Sequence, residues 1–262
     1  MYLLITDETN QQPSESVCFF IYGGIVIPEE SFMNLHDGIE LIRNRYGFLK
    51  SDEFKFDTRT RPKSISIEYF AKAKNDLIAL CINLHVVFIV YVIHHDIQKN
   101  QELEQKLEWA ADYIIGRFNL FLQEKGDYGF CIIDNLPTKS QYKYLVRKFT
   151  EGNNVEGKLK AMNNISMFAT TCSNASHYSS AMDIILGSFR YCINNPKNVE
   201  AAQEMLNNVT IMMWGEHDGK EHKVIGKGFI FRPKIEEIKS PKIKKEYEQL
   251  LARLNDLLNS NA

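Results

Sequence analysis

Short β-branched apolar runs, each closed by a polar residue and set apart by stretches of helical periodicity, constrain this chain most. Tyr2–Thr6 runs into Asp7, Val86–Ile93 into His94, and Tyr128–Ile133 into Asp134-Asn135-Leu136-Pro137. The longest of them, Val86–Ile93, is far shorter than the roughly 20 residues a helix needs to cross a bilayer, so no membrane span is expected. Their length and composition mark them as buried strands. Val17–Ile27, around Gly23-Gly24, reads as a second strand forming a hairpin with the first. Glu53–Phe56 and Ile165–Thr171 read as further strands.

Between these runs the period changes. Phe32, Leu35, Ile39 and Ile42 recur at helical spacing within Glu29–Tyr46. Leu103, Leu107, Ala111, Ile114, Phe118 and Leu122 form an amphipathic stripe, and Tyr178 to Ile193 the clearest one. Helices are also expected over Ile65–Leu84, Gln141–Phe149 and Pro241–Leu258, with a hairpin around Gly226-Lys227-Gly228. A leading hairpin followed by alternating strands and helices predicts an α/β fold, a mixed sheet covered by helices.

The formal net charge of −2 gives no global reason to expect a polyanion as partner. The distribution does: Gly219–Lys245 holds nine Lys/Arg against three Glu, beside an otherwise acidic chain. An acidic body with a basic strip fits a metal site next to a phosphate-contacting surface. The five cysteines form no CxxC pair, and Cys81, Cys131 and Cys192 sit among apolar residues as small core side chains. The opening Met-Tyr-Leu-Leu-Ile-Thr-Asp lacks the basic region of a signal peptide, so a reduced, cytoplasmic location is expected.

Asp7 and Asp134 each end an apolar strand, where a carboxylate is costly unless it is paired, solvated or bound to metal. Sites in open α/β sheets gather at such strand ends. Asp183 lies at the margin of the most regular helical stripe, with Gly187 one turn on, leaving room for something to approach, and Arg190 on the same flank. Glu53-Phe54-Lys55 puts a carboxylate and an ammonium on one side of an extended segment, a spacing shared with restriction-type nucleases. His94-His95-Asp96 reads as a strand end, since neighbouring strand residues point opposite ways. His177, near a helix start, is the better candidate for a polar role.

In order and spacing these residues resemble a large, mostly bacterial family, domain-of-unknown-function family 3800 (DUF3800), whose fold is related to ribonuclease H. The matching positions are Leu3-Leu4-Ile5-Thr6-Asp7-Glu8-Thr9-Asn10, Tyr22-Gly23-Gly24-Ile25-Val26, Glu53-Phe54-Lys55, Ile132-Ile133-Asp134 and Ser180-Ala181-Met182-Asp183 through Gly187. The departures are Thr9 and Asn10 where the family has Ser and Gly, and Ser180 and Met182 where it has Gln and Ala. The resemblance implies a ribonuclease H-like domain over residues 1–235; the leucine spacing beyond it adds an amphipathic helix over 236–262. It implies Asp7, Glu53, Asp134 and Asp183 as ligands for Mg²⁺ or Mn²⁺, since hard cations take oxygen ligands. With Lys55 these would form the catalytic set for hydrolysing phosphodiester bonds in RNA or DNA.

Nucleic-acid contact is then expected from the strip between Lys220 and Lys245, chiefly Lys242, Lys244 and Lys245. Two other readings stand beside this one. One is a non-catalytic module of a multi-protein system, such as defence against phage, docking a partner or a second copy through Leu250, Leu251, Leu254 and Leu257 of the last helix. The other is a hydrolase of small phosphoesters.

Overall fold

A computed structural model of the chain describes residues 1–14, 17–134, 141–155, 158–172, 175–194, 199–218 and 221–260. The hairpin expected at the start is present: β1 (Tyr2–Thr9) pairs antiparallel with β2 (Phe19–Pro28) over its whole length. A short 3₁₀ turn leads into α1 (Phe32–Tyr46), and α2 (Ile67–Asn83) follows. Next come β3 (Val87–His94), α3 (Leu103–Lys125), β4 (Gly129–Asp134) and α4 (Gln141–Thr150). The small pair β5 (Asn153–Val155) and β6 (Lys158–Lys160) precedes β7 (Ile165–Thr171), α5 (His177–Asn194) and α6 (Val199–Ile211). The chain closes with β8 (Glu216–Asp218), β9 (Glu221–Lys223), β10 (Phe229–Arg232) and α7 (Pro241–Ser260).

Among the described residues six strands form one mixed sheet in the order β10-β3-β2-β1-β4-β7. β2 runs against both β1 and β3, whereas β4, β7 and β10 run parallel to their neighbours. This is the mixed sheet expected from the sequence, with β10 added at one edge. All its strands except β2 end at one edge of the sheet.

Alternation along the strands feeds two cores. Leu3, Ile5, Val90 and Val92 face the layer of α1, α2, α5, α6 and α7. Leu4, Ile89, Tyr91 and Ile93 face α3 and α4. Both faces of β3 are therefore covered, which explains its unbroken apolar run. Cys81, Cys131 and Cys192 are buried, as read from sequence. No helix among the described residues is long and apolar enough to cross a membrane.

Three expectations need correction. Glu53–Phe56 is not a strand: the segment joins no sheet among the described residues and is anchored by the fully buried Phe54 against Phe48 and Phe70. Gly226, at φ 84°, does make a tight turn, but Phe229–Arg232 then leaves it to pair with β3 instead of folding back as a hairpin. Of the α7 leucines expected to dock a partner, Leu250 and Leu254 are spent within the chain: with Tyr247 they are buried in the same core as α5 and α6, and Leu251 packs against it. Asn135-Leu136-Pro137, Gly219, Lys220 and the side chain of Leu257 lie outside the described residues.

Candidate metal centre

β1 and β4 pair in parallel as far as Ile5 opposite Ile132. Two residues further in the same register stand Asp7 and Asp134, at the edge where the parallel strands end. On the other side of β1, Asp7 lies opposite Gly23 of β2. A Cβ on Gly23 would come within 2.8 Å of Leu186 and 3.2 Å of Met182. The missing side chain lets α5 settle close on the sheet, which brings Asp183 over the same edge. Asp7, Lys55, Asp134, Thr171, Ser179 and Asp183 line one pocket there.

Carboxylate oxygens of Asp7, Glu8 and Asp134 all lie within 4.8 Å of one another. Sequence reading missed Glu8, since alternation along a strand sends it to the face opposite Asp7. The β1–β4 ladder has ended by this point, and the Glu8 carboxylate reaches the Asp134 side.

The cluster is electrostatically strained. Asp7 is pushed up to about 8, first by burial and then by the charges of Glu8, Asp134 and Asp183; the Glu8 N–H donated to Asp7 Oδ1 at 2.8 Å pulls the other way. Glu8 is raised by burial and by Asp134, against a hydrogen bond donated by Gln11. Asp183 is raised by burial and held back by the Phe56 N–H, Lys55 and Arg190.

The segment carrying Lys55 is latched to α5 by its neighbour. Phe56 donates its N–H to Asp183 Oδ2 at 2.6 Å, and its carbonyl accepts from Lys74 Nζ at 3.1 Å. The Arg190 guanidinium lies 5.8 Å from the Phe56 ring centre. The room left by Gly187 is filled by that ring: a Cβ on Gly187 would sit 2.4 Å from Phe56 Cβ. Lys55 thereby faces the acidic cluster. Glu53 stands outside the pocket lining, with its carboxylate 3.6 Å from Lys55 Nζ.

Asn10 holds a left-handed backbone at φ 60°, and its side-chain amide donates to the Phe19 carbonyl at 3.0 Å. Asn is one of the few residues that tolerate this conformation, so the departure from Gly costs little. His177 lies 3.0 Å from Glu40 and packs on His36, apart from the pocket lining. In the basic strip, Lys227 is paired with Glu124 and Glu216, and Arg232 covers the Tyr113 ring. Lys242 and Lys245 are exposed, and Lys244 is half-buried.

The donor set around the pocket fits a hard divalent cation. Carboxylate oxygens supply it, no thiol or imidazole lines it among the described residues, and the burial and neighbouring charges that raise Asp7 are what a cation would offset.

No family model matches the chain, and no curated protein matches it. Among solved structures it is similar to the ribonuclease H2 from Pyrococcus horikoshii OT3, at 13% identity and a TM-score of 0.39, over 79% of this chain and 86% of that one. Similarity at that level assigns neither an activity nor a residue here.

Proposed function

We propose that this chain is a metal-dependent nuclease of the DUF3800 kind, hydrolysing phosphodiester bonds in RNA or DNA. The observation that carries the reading is the convergence of Asp7, Asp134, Asp183 and Lys55 on one pocket, with Glu8 completing a triplet of carboxylates within 4.8 Å. Asp7, Glu8 and Asp134 hold Mg²⁺ or Mn²⁺, and Asp183, with one oxygen engaged by Phe56, offers the other. When bound, such ions supply an activated water and stabilise the leaving oxygen. The Lys55 ammonium stabilises the charge that develops on the attacked phosphate. Glu53 steadies Lys55 from outside the pocket. Lys242, Lys244 and Lys245 hold the strand by phosphate contact, with little sequence preference.

The test is purified protein on RNA, DNA and hybrid, with Mg²⁺, Mn²⁺ or EDTA. Asp7→Asn abolishes cleavage and leaves binding of the polymer intact. Neutralising Lys242, Lys244 and Lys245 together weakens binding and flattens its salt dependence, with turnover at saturation little changed. Absence of binding to all three polymers at low salt overturns the reading in favour of a partner module. Equal cleavage by Asp7→Asn assigns the activity to a contaminant.

A further inference from the structure

A second group of metal-ligating side chains lies two strands away from the acidic pocket. Cys18 precedes β2, His94 closes β3, and Glu246 stands on the second turn of α7. The Cys18 sulfur, a His94 ring nitrogen and a Glu246 oxygen all lie within 4.8 Å of one another. These three come from segments far apart in sequence, and they differ in kind from the carboxylates around Asp7. Sulfur and imidazole donors select zinc over magnesium.

We propose that Cys18, His94 and Glu246 form a separate zinc site, binding one ion through Cys18 Sγ, His94 Nε2 and a Glu246 carboxylate oxygen, with water in the fourth position. Zinc bonds of about 2.0–2.3 Å in a tetrahedron put ligand atoms roughly 3.3–3.8 Å apart. The metal-free arrangement needs shifts of about 1 Å to reach this geometry, well within side-chain motion. His94 Nε2 and Glu246 Oε2, 2.6 Å apart in a hydrogen bond, must open.

The proton accounting is explicit. His94 Nδ1 accepts the Asp96 N–H at 3.1 Å, so in the metal-free ring the proton sits on Nε2 and is donated to Glu246. Binding moves that proton through solvent to Nδ1; the Asp96 N–H gives up its bond to Nδ1 and turns to water, and the Asp96 carboxylate, 4.0 Å away, closes to accept the Nδ1 proton. Such a carboxylate behind a ligating histidine is the usual way its orientation is fixed. The Cys18 thiol loses its proton to solvent. Until then burial and the Glu246 charge keep it protonated, with Asp96 acting in the same sense and Lys242 against them. The bound ion ties the first turns of α7, and with them Lys242, Lys244 and Lys245, to the end of the sheet.

Cobalt(II) is the probe, added to the full chain with excess Mg²⁺ to occupy the carboxylate pocket. A thiolate ligand gives a sulfur-to-cobalt charge-transfer band in the near ultraviolet, which oxygen ligands do not. The wild type shows this band at one equivalent, and zinc displaces it. Cys18→Ser loses it, whereas Asp7→Asn and Cys172→Ser, which replaces an exposed cysteine, retain it. Glu246→Gln, at a half-exposed position and checked for folding by circular dichroism, weakens cobalt binding about tenfold or more. Absence of the band in the wild type, its survival in Cys18→Ser, or unchanged affinity in Glu246→Gln overturns the proposal. The nuclease reading stands or falls separately, on cleavage by Asp7→Asn.

Discussion

Asp7 is protonated across much of the pH range in which its unfolded counterpart is charged. Its carboxyl, ordinarily at 3.8, is held at about 8 in the folded, metal-free chain. Below pH 4 both states keep the proton and Asp7 contributes no difference. Above that, the unfolded chain ionises first, so the fold loses stability as pH rises to about 8, by on the order of a few kcal/mol. In EDTA, the melting temperature of the wild type is therefore expected to fall between pH 4 and pH 8 through this group. Asp7→Asn flattens the slope and melts higher at pH 8; an unchanged slope in the variant speaks against the strain. Millimolar Mg²⁺ or Mn²⁺ removes the same penalty and raises the wild-type melting temperature. Asp7 and Asp134 were legible in the sequence because each interrupts an apolar strand with a charge that burial alone would not tolerate. Glu8 was not, since its neighbour in a strand points the other way, and only the end of the β1–β4 ladder lets it join.

The segment from Glu53 to Phe56 belongs to no regular element, yet it sets where Lys55 stands. Its hold is the Phe56 ring on Gly187 together with the Asp183 and Lys74 hydrogen bonds. Gly187→Ala forces the ring away, with a stability loss of about 1–3 kcal/mol measurable by denaturant titration. Lys55 is displaced with it, so cleavage falls by more than the fraction of unfolded protein accounts for. Loss of activity matching that fraction alone removes the positioning role. Alternation in Glu-Phe-Lys-Phe reads as a strand because alternation reports which faces are buried, not whether a neighbour is there to pair. The three-residue strands β5, β6, β8 and β9 are too short to show a period. Of the described side chains in α6, Leu206 and Val209 are the buried apolar ones, one turn of a stripe. The longer strands and helices were legible because their periods run through whole elements.

The chain's end is bound into its middle. Tyr247 accepts a hydrogen bond from the His94 N–H at 2.8 Å and donates one to the Arg232 carbonyl at 2.7 Å, joining α7 to β3 and β10. Tyr247→Phe leaves both backbone groups without that partner and costs about 1–3 kcal/mol. Thermal melting of the full chain reads this directly, and a change within a few tenths of a kcal/mol contradicts it. The leucine spacing of α7 announced a face to be covered; it could not say whether the cover came from this chain or another, because a helix presents the same stripe to either. β10 adds a consequence in time. It seals β3 with Phe229 opposite Val90, about 140 residues later in the chain. At common rates of synthesis, β3 waits on the order of ten seconds for that partner. During that interval its outer row of amides and carbonyls is open to pairing with any other nascent strand. Slow synthesis therefore prolongs the hazard of such pairing, which ends only when Phe229–Arg232 have emerged and docked.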